Sequence, residues 1–129
     1  MNSRLQQILD RYEKTTNQKI DKLKYTVDSV VDSRPSVPNT LLVLKNSFGV
    51  GGAIYINLNR VTVDSQSPIE INLGTDTMLH QSIGKINTAM NISLIESDVV
   101  NIPIHLGSVV IDINNDSLQY VGMLHLNFN

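Results

Sequence analysis

Apolar side chains recur at helical spacing through the opening of the chain. Leu5, Leu9 and Tyr12 are four and three apart, and Thr16 continues the stripe. Ile20, Leu23, Val27 and Val30 then repeat three-four-three. The positions between them are mostly Arg, Asp, Glu, Lys, Gln and Asn, and no Gly or Pro precedes Pro35. This pattern predicts an amphipathic, coiled-coil-like helix over 1–34 with one narrow seam. The step of four from Thr16 to Ile20, where a strict heptad wants three, is a stutter that relaxes a left-handed supercoil. Pro35 disfavours helical geometry at Arg34, and with Pro38 it predicts an extended linker over 35–39.

From residue 40 the pattern shortens and turns to period two. Leu41–Leu44 is an apolar run that fits strand or helix. Ala53–Asp64 reads as strand, with Ile54, Ile56 and Leu58 on one face and Val61 and Val63 on the other. That phase slip predicts a bulge or a crossing between environments. Ile69–Leu73 alternates cleanly. Residues 77–90 match helical spacing loosely, interrupted by Gly84. Ile92–Ile95, Val99–Leu106, Val109–Ile113 and Leu118–Phe128 complete the predicted strands, with Asn114-Asn115-Asp116 as a hairpin turn. The fold class is therefore mainly β: an N-terminal α-helix followed by an antiparallel β-sandwich or barrel over 40–129.

Composition sharpens this division. The 129 residues, 14.3 kDa, make one domain with a short appendage. Twelve of the 22 charged residues lie in the first 34, while residues 35–129 hold three basic and seven acidic residues among 14 Asn and 12 Ser chain-wide. There is no Cys, so disulfides, thiolate metal sites and a Cys nucleophile are excluded. Net charge is -2, and the β region has only Lys45, Arg60 and Lys85 as basic residues, so no nucleic-acid partner is expected. No stretch has the apolar length of a membrane span, and MNSRLQQILDRYEK lacks the apolar core of a signal peptide.

Candidate chemistry is sparse. Gly49-Val50-Gly51-Gly52-Ala53-Ile54 follows an apolar run but lacks the third glycine of a dinucleotide fingerprint and leads into strand, not helix. His80, His105 and His125 form no metal-binding spacing; His105 and His125 fall in predicted strands, and a two-His site there would need a third ligand, Asp98 or Asp112. Glu96 and Asp98 are placed to share a strand face. Tyr55 and Tyr120 are the strand aromatics available to a carbohydrate. No catalytic, cofactor-binding or metal-binding residue is assigned, and no cofactor is implied.

A charged helix leading through a proline linker to an Asn/Ser-rich, Cys-free β domain resembles, in layout and composition, the small structural proteins of tailed bacteriophages: decoration, fibre-base, collar or baseplate components. The resemblance implies a non-enzymatic virion protein whose partners are its own copies and other structural proteins of an assembly, with no membrane partner. A β domain with few charges buries strand faces between subunits at little desolvation cost. The expectation is a homo-oligomer, a trimer first, with Leu5, Leu9, Tyr12, Ile20, Leu23, Val27 and Val30 as the helical interaction seam. The alternative is a monomeric adaptor or inhibitor, cytoplasmic rather than virion-bound, whose helix docks on a host or cellular protein. A third reading is a small β-barrel hydrolase or lectin.

Overall fold

The computed structural model describes residues 3–47, 52–64 and 67–129. Strand makes up 37% of the chain and helix 25%, so the fold is mainly β with an N-terminal helix, as the pattern predicts. The chain divides into two units, Met1–Arg60 and Val61–Asn129. The division falls at the phase slip between Leu58 and Val61 rather than at the prolines.

The first unit opens with helix α1, Ser3–Thr16. It stops where Asn17 turns left-handed at φ 54°, a conformation Asn tolerates better than most residues. The return is fixed by the Ile20 amide, which donates to Glu13 Oε2 at 3.1 Å. A three-residue 3-10 turn, Lys22–Lys24, leads into strand β1, Tyr25–Asp32. The helix predicted over 1–34 is thus corrected: only its first half is helical. β2 (Thr40–Asn46) and β3 (Ile54–Leu58) complete an antiparallel meander in the order β1-β2-β3. The predicted linker 35–39 is the connection of the β1–β2 hairpin, closed by the Ser33 amide donating to the Asn39 carbonyl at 2.7 Å.

The misreading of β1 has a specific physical cause. Val27 lies opposite Leu44 and Val30 opposite Leu42, although the two valines are three apart and the two leucines only two. The register shift between Val27 and Ser29 is a β-bulge at Asp28. The extra residue lets Val27 and Val30 face the same side, so the bulge imitates helical spacing. Along β2, Thr40, Leu42 and Leu44 are buried and Leu41 and Val43 half-buried, the alternation of a strand with one covered face.

The second unit holds β4 (Val61–Asp64), β5 (Ile69–Ile71), helix α2 (Ile83–Met90), β6 (Gly107–Asp112) and β7 (Tyr120–Phe128). β7 is the common partner. β4 runs parallel to it from Val61↔Tyr120 to Asp64↔Met123, and β5 parallel from Ile69↔Leu126 to Ile71↔Phe128. β6 runs antiparallel to it from Gly107↔Phe128 to Asp112↔Met123, joined by the predicted Asn-Asn-Asp turn. The sheet is therefore mixed, where the sequence predicts antiparallel pairing alone. Gly122, at φ 122°, pairs with Val63, and a Cβ there would overlap the Val63 carbonyl oxygen; only glycine lets the two backbones approach so closely.

The core of this unit gathers Val63, Ile71, Leu79, Ile83, Ile86, Leu94, Val99, Ile104, Ile111, Ile113, Tyr120, Leu124, Leu126 and Phe128. Of the predicted strands, 92–95 and 99–106 are irregular. Leu94, Val99 and Ile104 still reach the core, while Ile95, Val100 and Leu106 are exposed, and the backbone polar groups are satisfied otherwise. The Asn87 side chain pairs with both the amide and the carbonyl of Leu94 (2.8 and 3.0 Å), and an isolated bridge joins Met78 to Pro103. The 77–90 stretch resolves into a 3-10 turn, Leu79–Ser82, followed by α2, with Asn91 as the left-handed cap.

Candidate interaction surface

In the first unit, a groove of about 440 Å³ runs between the second half of α1 and β3. Ile8, Arg11, Tyr12, Thr15 and Thr16 line the helical wall. The opposite wall is five consecutive residues, Tyr55 to Asn59, with Pro38 at one end. The helical wall is held in shape by its own backbone: the Thr15 and Thr16 hydroxyls donate to the carbonyls of Arg11 and Tyr12 (2.9 and 2.8 Å). Asn59 is fixed by accepting from the Asn39 amide at 2.9 Å. Arg11 is the one lining residue with a formal charge.

A polar clamp closes this end of the sheet. Asn39 Oδ1 accepts from the Arg60 amide (2.9 Å) and the Thr40 hydroxyl (2.7 Å), and Asn39 Nδ2 donates to the Arg60 carbonyl (2.9 Å). The buried Arg60 donates through Nε to Thr40 Oγ1 at 2.8 Å, and desolvation lowers its pKa, opposed by the nearby Asp32. Asp32 is itself gripped by Arg34, Nη2 to Oδ2 at 2.8 Å; hydrogen bonds from that side chain and from the Arg34 amide hold its carboxyl below the usual range.

The face of this sheet opposite Leu42 and Leu44 carries two cross-strand rows, Ser29–Val43–Tyr55 and Val31–Leu41–Asn57. Val31 is 45% exposed and Tyr55 64%, with Leu41 and Val43 half-buried between them. Four large apolar side chains from three strands thus adjoin on a solvent-accessible face.

The predicted seam is not one stripe. Leu5 and Leu9 are buried on α1, and Tyr12 is half-buried in the groove wall. Ile20 lies in the segment after the helix, Leu23 is 80% exposed in the 3-10 turn, and Val27 and Val30 belong to β1. The structure brings together Leu5, Leu9 and Tyr12 on one helix and Val27 with Val30 on one strand face. Arg11, Asn57 and Asn59 carry no motif of their own; the uncharged strand Ile54–Leu58 is the signal the sequence offers.

In the second unit, an open hollow of about 680 Å³ lies between β5 and α2, lined by Glu70, Ile71, Asn72, Gly84, Lys85 and Thr88 among others. Its two charges are engaged. Lys85 Nζ donates to Asp76 Oδ2 (2.8 Å) and to the carbonyl of Asn72 (2.9 Å). That bond, with a second from the Ser82 hydroxyl, lowers the Asp76 pKa. Glu70 accepts from the side-chain amides of Asn127 and Asn129 (2.9 and 2.7 Å).

The other sequence candidates are structural in placement. Asp98 is buried, accepting from the Ile95 amide (2.9 Å) and the Ser117 hydroxyl (2.7 Å), while Glu96 is exposed, so the two do not share a strand face. His80 Nε2 donates to the Val99 carbonyl at 2.8 Å. His125 pairs with Val110, and His105 precedes β6, so these histidines are not cross-strand partners. Tyr120 is buried with its hydroxyl accepting from the Ser93 amide at 2.8 Å. Among the described residues no three His, Cys, Asp or Glu side chains converge as metal ligands, and no helix is long and apolar enough to cross a membrane. The glycine cluster Gly49–Gly51 lies outside the described residues. Comparison with protein-family models, curated proteins and solved structures finds no match for this chain.

Proposed function

We propose that the protein is a non-enzymatic assembly component that works by self-association, a trimer first, in keeping with the phage-virion resemblance of its layout. The observation that supports this reading is the outward face carrying Val31, Leu41, Val43 and Tyr55. Contiguous apolar side chains on a sheet face are more often contact surface than solvent surface. Three copies turned about a threefold axis would bury these faces against one another, so that the sheet packing is built between subunits rather than within one chain. A helical contact, if coiled coil contributes, is limited to the 14 residues of α1, about 21 Å.

Light scattering on the full chain tests this. The expected mass is about three times 14.3 kDa. The double variant Val31→Lys with Val43→Lys places charge on the face and is expected to reduce the mass to that of one chain while the circular dichroism spectrum is retained. A wild-type monomer would sink self-association and leave the adaptor reading, in which α1 and its groove serve a different protein.

A further inference from the structure

The two outer strands of the three-stranded sheet are treated differently by the sequence. β1 carries a bulge and two carboxylates, Asp28 and Asp32, all devices that keep a sheet edge from pairing. β3 carries none: Ile54-Tyr55-Ile56-Asn57-Leu58 is uncharged, unbulged and rich in β-branched and aromatic residues. Among the described residues β3 pairs with β2 alone, so every second residue turns its amide and carbonyl away from the sheet. The groove opens along this strand, since all residues from Tyr55 to Asn59 line it. An unprotected edge strand facing a helix across a groove is the geometry of strand addition, in which backbone hydrogen bonds give affinity and flanking side chains give selectivity.

We infer that the groove between α1 and β3 is a docking site for an extended, acidic peptide segment of another polypeptide, which adds to β3 as a fourth strand. The segment would span four to six residues, matching the roughly 17 Å of β3. It would be free of proline at the pairing positions. Alternate side chains would be apolar on the side of Ile8, Ile56 and Leu58 and polar on the side of Tyr55 and Asn57. A carboxylate follows from charge complementarity, because Arg11 supplies the only formal charge in the lining. The proposal goes beyond self-association and does not require it: a monomer that captures peptide supports this site alone.

The test is selection from a displayed library of random octapeptides on the full-length chain, followed by anisotropy measurements with the synthetic winners. The expected winners alternate, lack proline over the central residues and contain Asp or Glu. N-methylating alternate backbone amides in one phase should weaken binding at least about tenfold, and in the other phase change it less than about twofold. Arg11→Glu, at an exposed position, should reverse the preference from acidic to basic winners. Three outcomes would overturn the proposal: a library without winners, equal sensitivity to both N-methylation phases, or affinity indifferent to Arg11→Glu. Loss of self-association in Arg11→Glu with no peptide selected would assign the groove to a second copy and overturn it as well.

Discussion

Residues 1–60 and 61–129 each build a sheet, but from sequence partners at different range. In the first unit every strand pairs with its neighbour in the chain. In the second, β4 and β5 wait for β7, and Val61 meets Tyr120 across most of the unit. Closing longer loops costs more entropy before any contact is gained. The second unit offsets this with a core of fourteen buried apolar side chains. The first unit buries Leu5, Leu9, Leu42 and Leu44 and adds polar fixings, the Asn39–Arg60 clamp and the Asp32–Arg34 pair. Both units carry polar fixings, but the second sets them around a large apolar core and the first around a small one.

The sharpest way to break this contrast is truncation in each core. Leu126→Ala, at a fully buried position of β7, is expected to cost about 4 kcal/mol by urea denaturation, since a crowded core cannot collapse into the cavity. Gly122→Ala adds a forbidden overlap with Val63 to a strained backbone, for about 3 kcal/mol in the same measurement. Leu42→Ala in the first unit should cost less than Leu126→Ala, about 2 kcal/mol, because Leu42 lies outside the large buried cluster and its smaller core can relax into the space. Equal costs for the two leucines would remove the distinction. Deleting Asp28 should change stability by less than about 1 kcal/mol, because the residues on either side already keep register with β2. Light scattering should then show more association, as the edge loses its bulge.

The smallest effect is the pH dependence of the two gripped carboxylates. Asp32 and Asp76 both have folded pKa values below the ordinary value of about 3.9, chiefly through hydrogen bonds from Arg34 and Lys85 respectively. A depressed folded pKa contributes stability that is complete above the unfolded value and lost as pH falls through the folded one. Urea midpoints of Asp76→Asn and Asp32→Asn should therefore lie beneath that of the wild type at neutral pH and converge on it as pH falls through the lowered folded pKa values. Parallel curves would show that neither carboxylate is linked to folding.

How much of this was legible follows from range. β5 and β7 show in their alternation, β2 only as an apolar run that fits strand or helix, and the break at Asn59-Arg60 shows in the phase of the valines. The turn Asn114–Asp116 shows in its residue types. Parallel pairing of β4 and β5 leaves no local mark, because the partner is remote. The bulge at Asp28 gives a strand the spacing of a helix, and the exposed Thr26, Asp28 and Ser29 complete the imitation. At the groove, Tyr12 and Tyr55 were visible as residues, but the wall they share exists only once α1 ends at Thr16. Asp98 reads in sequence as a strand-face partner of Glu96; its fixing by Ser117 depends on a contact 19 residues away.

The placement of β7 at the meeting point of three strands has a consequence for synthesis. Ribosomes deliver about 5–20 residues per second, so β4 emerges several seconds before the strand it needs. β5 and β6 wait as well, with Val63, Ile71 and Ile111 as yet uncovered. The meander of the first unit can close while this happens. The nascent chain therefore passes through a stage with one sheet finished and the other withheld, its strands open until β7 arrives.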